Sequence, residues 1–107
     1  MKQWDIVSWD FPEGVHPAVI VSHPARIAAK PVVNVLLCSS QRARRAAEAH
    51  EIILDEADGL DWPTLCKCDL FYDVSKAELR QARGSVTPIR RRQIVQRVIA
   101  ALGWSAV

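Results

Sequence analysis

Short apolar runs separated by turn residues fill most of the chain before residue 87, and this pattern is typical of β-strands. Residues 4–23 contain two such runs around a turn at residues 12–14, so we expect an antiparallel pair of strands there. The β-branched run at residues 18–21 has the composition of a buried strand. Further strands are predicted at residues 32–39, 50–55, 63–74 and 84–86. Residues 41–49 are polar and rich in alanine, which predicts a loop or a short helix.

The clearest helix signals lie near the C-terminal end. Thr87 suits an N-cap, Pro88 suits the first helical position, and Gly103 is a typical residue at which a helix stops. One stripe of apolar residues is predicted to pack on the sheet: Ile94, Val95, Val98, Ile99 and Leu102. The arginines of the same segment are predicted to face water: Arg90, Arg91, Arg92 and Arg97.

Two shorter helical turns are predicted between the strands. One covers residues 24–29, with Ser22 as its cap and Pro31 as its stop. The other follows Ser75, which stands three residues before Glu78 in the spacing of a capping box. Together the elements predict a mainly β fold with α (α+β), a small curved antiparallel sheet or SH3-like barrel with a C-terminal helix.

Length and composition narrow the class of protein. The 107 residues are expected to form a single domain, 1–107, large enough to fold without disulfides. The three cysteines, Cys38, Cys66 and Cys68, lie in apolar runs, and their odd number without a recognised secretory signal favours the reducing cytoplasm. No apolar run approaches the roughly 18 residues that cross a bilayer, so no membrane association is expected.

Charge is distributed unevenly along the chain. The formal net charge is only +2, but residues 76–107 hold seven basic residues and one acidic residue, a net charge of +6. Residues 1–75 hold seven basic and eleven acidic residues, a net charge of −4. A basic end suits a polyanion or an acidic protein partner, although a solvated helix face has the same composition.

Three places offer candidate chemistry, and the first is His16. It precedes Pro17 at the start of the apolar run of the second strand. An imidazole there can act as a general acid or base near neutral pH. A structural histidine at the open end of a barrel fits the same position.

The second place is the segment at residues 66–69. Side chains alternate along a strand, so Cys66 and Cys68 share one face while Lys67 and Asp69 share the other, about 6 to 7 Å apart. The lysine and the aspartate can form a surface ion pair or an acid–base couple. The two cysteines lack companion ligands at the spacing of a zinc site, so no metal and no cofactor is expected, and they are interpreted as small buried hydrophobic residues.

The third place is the end of the third predicted strand. Ser39, Ser40 and Gln41 are followed by arginines that, with the hydroxyls, suit a phosphate: Arg42, Arg44 and Arg45. A solvated polar loop fits the same residues. The chain has no nucleophile elbow, P-loop or dinucleotide fingerprint, so Ser39 is not indicated as an acyl-transfer nucleophile.

Several local sequences, in this order, resemble the MazF/PemK/Kid family of toxins from toxin–antitoxin systems. Residues 4–7, Trp-Asp-Ile-Val, resemble the Gly-Asp-Ile-Trp/Val start of that family. Residues 15–21 match its x-Arg-Pro-x-Leu-Val-Ile strand, and residues 38–41 fall where members carry Thr-Ser or Thr-Ala-Gln. Residues 67–69 and 73–76 resemble Arg-Cys-Asp-Gln followed by Ile-Asp-Lys.

The resemblance implies a dimeric, barrel-like fold and metal-independent cleavage of single-stranded RNA. In that chemistry a base removes the proton of a 2′-hydroxyl, whose oxygen attacks the adjacent phosphorus, and an acid protonates the departing 5′-oxygen. A cation stabilises the extra negative charge. The implied partners are a second copy of the chain and an antitoxin whose acidic, disordered segment covers the site.

The same resemblance implies roles for individual residues. His16 falls where many members hold an active-site arginine, and Ser39 falls where they hold a threonine. Lys67 and Asp69 align with the arginine and aspartate that act in the Kid-like branch. We therefore predict His16 as general acid or base, Asp69 as its complement, Lys67 as the stabilising cation and Ser39 as a phosphate contact. The expected RNA-binding arginines are Arg42, Arg44 and Arg45.

The departures from the family keep two alternatives open. The turn at residues 12–14 lacks the family's Gly-His-Glu-Gln loop, and histidine and lysine replace arginine at His16 and Lys67, so a degenerate member that only binds antitoxin or RNA is one alternative. The other is a poison of DNA gyrase like the CcdB relatives, which act through a Trp-Gly pair at the end of the last helix. Here the order is reversed, Gly103 before Trp104.

Overall fold

A six-stranded antiparallel sheet forms the body of the computed structural model, which describes residues 1–11, 14–40 and 45–107. The strands are β1 (Asp5–Phe11), β2 (Gly14–Ile20), β3 (Val32–Ser40), β4 (Glu51–Leu54), β5 (Thr64–Ser75) and β6 (Leu79–Ser85), and the helices are α1 (Pro24–Ala29) and α2 (Pro88–Ala101). The strand order is β4-β5-β3-β2-β1-β6. This architecture confirms the predicted mainly β fold with a C-terminal helix.

Both faces of the sheet carry apolar side chains, because successive residues of each strand point to opposite sides. On the first face Ile6, Val19 and Leu36 pack with Ile94 of α2. On the second face Val7, Ala18 and Val35 pack with neighbouring apolar residues, and Trp9 meets Tyr72 edge to face with ring centroids 5.3 Å apart. The sheet therefore has a helix-covered face and a second face that holds a smaller apolar cluster.

Most predicted elements are present, but the capping of the helices differs in part from the sequence prediction. His23, not Ser22, caps α1, because its Nδ1 accepts a hydrogen bond from the backbone N–H of Ala25, whereas the Ser22 hydroxyl accepts one from the N–H of Asn34. Ser75 caps a short 3-10 helix as predicted. The reciprocal capping box, however, forms around Asp55 in the turn after β4.

The last strand and the last helix also differ from expectation. β6 spans Leu79–Ser85 instead of residues 84–86, because its backbone pairs with β1 from Leu79 onwards. In the predicted apolar stripe of α2 only Ile94 is buried, while Val95 is 45% exposed. Val98 is partly buried against the core, while Val95, Ile99 and Leu102 stay at the surface of this chain.

Ion pairs connect the start of α2 to the turn after β4. Arg90 forms ion pairs with Asp55 and with the buried Asp58, and the backbone N–H of Thr87 donates to Asp58 at 3.0 Å. The side chain of Thr87 makes no capping hydrogen bond, so the predicted contact of that hydroxyl is absent, and Asp58 instead binds the backbone N–H of Thr87 itself. The Arg90 guanidinium lowers the pKa of Asp55, which keeps that carboxylate charged.

Candidate functional site

Three of the predicted site residues lie on neighbouring strands and on one face of the sheet. Ala18 of β2 pairs with Leu37 of β3, and His16 and Ser39 each lie two residues beyond that pair. Two residues along a strand return to the same face, so both side chains are on the face of Ala18, the second face. On β5, Cys66 pairs with Cys38, the residue before Ser39, and both cysteines point to the first face. Lys67 follows Cys66 and therefore points to the second face, like His16 and Ser39.

His16 is half-buried on β2, directly opposite Trp9 in the ladder with β1. Its Nδ1 atom is shielded from solvent. Trp9 in turn contacts Tyr72 of β5 edge to face, so aromatic rings extend from the histidine strand across this face of the sheet. The imidazole therefore lies at the edge of a packed apolar surface, with part of its ring open to solvent.

Lys67 forms an ion pair with Glu51, a residue that the sequence interpretation did not select. The two residues are directly paired across β4 and β5. The carboxylate of Glu51 is fully buried and also accepts both ends of the Arg45 guanidinium, each at 2.7 Å, and the backbone N–H of Glu48 at 2.9 Å. One buried acid thus holds two of the predicted site cations.

The electrostatics of this group follow from its hydrogen bonds. The pKa of Glu51 is lowered well below its ordinary value, chiefly by the Arg45 guanidinium and further by Lys67, against the opposing effect of burial. The pKa of Arg45 is raised by the same contact. Glu51 is therefore an anion at neutral pH and does not donate a proton.

Asp69 lies in a different setting from Lys67. It is exposed on β5 two residues later, and in the described part of the chain the ion pair of Lys67 is made with Glu51 rather than with Asp69. The surface ion pair between the two, one of the predicted possibilities, is replaced by this pair. A solvent-facing carboxylate remains open to a ligand.

Ser39 is half-buried at the end of β3, and its carbonyl oxygen accepts a hydrogen bond from the Thr64 hydroxyl at 2.7 Å. That bond fixes the backbone of the strand end and does not use the Ser39 hydroxyl. Arg42 and Arg44 lie outside the described residues. Arg45 is described, and its guanidinium contacts Glu51.

A cleft of about 680 Å³ opens beside Arg45. Ile53 and the exposed ring of Trp62 line it together with three carboxylates, Asp55, Glu56 and Asp61. The guanidinium of Arg83 lies 5.9 Å from the centre of the Trp62 ring. An exposed aromatic ring and hydrogen-bond acceptors next to a cation are groups that can contact an unpaired nucleobase.

The cysteines are free and buried, as the sequence predicted. A hydrogen bond with one neighbouring thiol, and then burial, raise the pKa of Cys66 and of Cys68, so both remain protonated. Glu48, His50 and Glu51 bring potential ligand atoms within 4.8 Å of one another. Arg45 and Lys67 already contact both carboxylate oxygens of Glu51, so this donor set does not fit a metal ion.

The fold is that of solved toxins. It is similar to the Mycobacterium tuberculosis toxin MazF-mt6, with a TM-score of 0.80, 16% identity, and coverage of 92% of this chain and 96% of that chain. An endoribonuclease solved with its cognate antitoxin, from Mycobacterial species, matches with a TM-score of 0.82 and 23% identity over 96% of this chain and 95% of that one. MazF in the MazE-MazF structure from Deinococcus radiodurans matches with a TM-score of 0.77 and 15% identity over 96% and 95%.

The sequence assigns the chain to a family within this class of fold. The sequence model of the PemK-like, MazF-like toxins of type II toxin-antitoxin systems matches residues 2–102. The chain belongs to this family, which confirms the resemblance seen in its motifs. No match was found among curated protein sequences. Within the described ranges, no helix is long and apolar enough to span a membrane.

Proposed function

We propose that this toxin is a metal-independent endoribonuclease that cleaves single-stranded RNA, messenger RNA in particular, in the cytoplasm. The observation that carries the proposal is the placement of His16, Ser39 and Lys67 on neighbouring strands and one face of the sheet. Solved relatives of the same fold are described as endoribonucleases. Sequence selectivity would come from the surfaces around this site, including the cleft beside Arg45.

Each site residue has a separate role in the proposed cleavage reaction. His16 or Asp69 removes the proton of a 2′-hydroxyl, the 2′-oxygen forms a bond to the adjacent phosphorus, and the bond to the 5′-oxygen breaks. The other member of the pair protonates that leaving oxygen, which gives a 2′,3′-cyclic phosphate and a 5′-hydroxyl. Lys67 stabilises the charge that develops on the phosphorane oxygens, and Ser39 contacts the phosphate.

The environment of each group is consistent with its role. Partial burial of His16 against Trp9 holds the imidazole in place while part of it meets solvent. Glu51 holds the side-chain nitrogen of Lys67 in place through their ion pair. Asp69 is exposed and can reach a bound nucleotide. Arg42, Arg44 and Arg45 remain the proposed RNA contacts of the neighbouring loop.

The proposed partners are a second copy of the chain and a cognate antitoxin. One of the similar structures holds an endoribonuclease with its cognate antitoxin, and another is a MazE-MazF pair. In this chain β4 and β6 are the edge strands of the described sheet, and α2 keeps apolar residues such as Val95 and Ile99 at the surface. Edges and apolar surface of this kind are commonly covered by a partner.

The test is cleavage of a mixed-sequence RNA in the presence of a metal chelator. Wild type should cut it and leave cyclic phosphate ends, and His16→Ala should be slower by about 100-fold or more. His23→Ala is the matched control, because His23 lies beyond the other end of β2, where its side chain caps α1. Equal rates for wild type and His16→Ala would remove His16 from the mechanism.

A gyrase poison is retained as the second candidate because Trp104 is 57% exposed just beyond Gly103. Incubation with gyrase and supercoiled plasmid distinguishes the two. Linear plasmid that forms with wild type but not with a Trp104 variant would favour the gyrase poison. Cleaved RNA with intact plasmid would favour the endoribonuclease. Binding of RNA without any cutting would indicate a degenerate member.

A further inference from the structure

Two cations converge on a single oxygen of Glu51. The Nη2 atom of Arg45 lies 2.7 Å from Oε2, and the ammonium of Lys67 contacts the same oxygen. The two cationic nitrogens are therefore within about twice a hydrogen-bond length of each other. Arg45 and Lys67 carry two positive charges against the one negative charge of Glu51, and a further carboxylate, that of the exposed Glu48, lies within 4.8 Å of the Glu51 carboxylate.

The two cations of this group face outward. The carboxylate side chain is 0% exposed, whereas the side chains of Lys67 and Arg45 are 19% and 43% exposed. Each cation also keeps N–H donors that Glu51 does not use, because an ammonium and a guanidinium carry more donors than these contacts consume. A second anion can therefore bind both cations without displacing the carboxylate.

The buried acid is held rigidly. Its backbone pairs with Lys67 across β4 and β5, and its carbonyl oxygen accepts a hydrogen bond from Arg97 of α2 at 2.9 Å. The N–H of Glu48 fixes Oε1 of the side chain. Without this fixed anion, two like charges at such a distance would repel each other and separate.

The second buried ion cluster of the described chain has the opposite balance. There Arg90 meets two carboxylates, Asp55 and Asp58, so the cluster has a net charge of −1 and no attraction for an anion. That cluster joins α2 to the turn after β4, a structural task. The Glu51 cluster is different because two cations share one buried carboxylate.

We propose that Glu51 is a positioning residue that assembles Arg45 and Lys67 into a two-cation site for a backbone phosphate of single-stranded RNA. The inference rests on the proposed function, since the site includes the cation assigned to the reacting phosphate. Phosphate oxygens accept strong, charge-assisted hydrogen bonds from guanidinium and ammonium groups. Arg45 comes from the segment before β4 and Lys67 from β5, and the shared carboxylate of Glu51 joins the two.

The first experiment measures binding of a 2′-O-methyl oligonucleotide, which cannot be cleaved because its 2′-oxygens carry no proton. Arg45→Gln and Lys67→Gln should each raise Kd about tenfold. Each should also reduce the slope of log Kd against log salt by about 0.7, the loss of one phosphate contact on a single strand. Arg80→Gln is the control, because Arg80 is a surface arginine paired with Asp10. Unchanged Kd and slope in both site variants would overturn the proposal.

The second experiment separates kcat from KM for a cleavable RNA. Glu51→Gln removes the shared anion but keeps both cations, so kcat should fall about 10- to 100-fold while KM stays within about threefold. Asp58→Asn is the matched control, a second buried carboxylate bound by an arginine, and it should keep the kcat of wild type. Glu51→Asp retains the charge on a shorter side chain and should fall between wild type and Glu51→Gln.

The outcomes distinguish this inference from the proposed function. A wild type that cleaves RNA, with unchanged kcat in Glu51→Gln and only a lower Tm, would make Glu51 purely structural and overturn the inference. A wild type that cuts no RNA but binds the oligonucleotide through Arg45 and Lys67 would leave the two-cation site standing and overturn the nuclease. If Glu51→Gln does not fold, the inference is tested by the Kd values of Arg45→Gln and Lys67→Gln and by the kcat of Glu51→Asp. Wild-type values in all three variants would overturn it.

Discussion

Lys67 and Glu51 face each other across β5 and β4, and their side chains form an ion pair in which the carboxylate is fully buried. A buried acid is stable only when its charge is compensated, and here the bidentate guanidinium of Arg45 and the backbone N–H of Glu48 add further contacts. The pair therefore links the edge strand, the segment before it and the candidate site. Its removal should affect both stability and function.

Glu51 should make the stability of the fold depend on pH in the acid range. Its pKa is lowered in the folded protein below the ordinary value of 4.5, so its contribution to stability is present above that value and is lost as the pH falls towards the folded pKa. At neutral pH, Glu51→Gln should lower the free energy of unfolding by about 3 kcal/mol, because it leaves Lys67 with an uncompensated charge.

Urea unfolding of wild type and Glu51→Gln between neutral pH and about pH 3 measures this effect. The difference between the two proteins should shrink as the solution is acidified below the ordinary glutamate pKa. A difference that stays constant over the whole series would show that the carboxyl keeps an ordinary pKa in the fold.

Gly84 should not tolerate a side chain. A Cβ at this position would overlap the carbonyl oxygen of Asp58, where β6 passes the turn after β4. Gly84→Ala should therefore destabilise the protein by about 1 to 3 kcal/mol and loosen the attachment of α2 through Asp58 and Arg90. Gly14→Ala is a useful comparison for space, since nothing lies within 4 Å of the Cβ position there, although its φ of +130° is unfavourable for alanine. Equal Tm for wild type and Gly84→Ala would contradict the close approach.

Sequence signals predicted correctly those elements that are determined by residues close to one another along the chain. The β-branched run before Val21 predicted β2, and the Thr87-Pro88 start predicted α2 with its first residue correct. β6 was misplaced because Leu79–Ser85 is a polar strand whose formation depends on pairing with β1. A strand of this type has little apolar alternation, so its sequence carries only a weak signal.

The candidate site shows the same division between local and long-range information. His16, Ser39 and Lys67 could be selected from their motifs, and their shared face follows from strand alternation once the register is known. Glu51 could not be selected in the same way, because its importance comes from its strand pairing with Lys67 and from its ion pair with Arg45. A prediction of the strand register would have shown that an acidic residue at the start of one strand faces a lysine in the next strand. That pair is the signal by which Glu51 could have been found.

The buried thiols should be unreactive in the folded protein. A hydrogen bond with one neighbouring thiol, and then burial, raise the pKa of Cys66 and Cys68, and Cys38 is fully buried beside them. A thiol reagent at pH 8 should label none of the three cysteines without denaturant and all three in its presence. Rapid labelling of the native protein would show that the face covered by α2 opens readily.

His16→Arg separates proton transfer from phosphate binding at the most important position of the proposed site. Arginine supplies a permanent charge and a planar set of donors for a phosphate, but its pKa is too high for it to exchange a proton near neutral pH. The variant should bind an uncleavable oligonucleotide as tightly as wild type or more tightly, while kcat for a cleavable RNA falls about 100-fold. His16→Gln, which has neither the charge nor the proton exchange, should lose both properties. If His16→Arg cleaves RNA as fast as wild type, a cation is sufficient at this position and Asp69 must pair with a different acid or base.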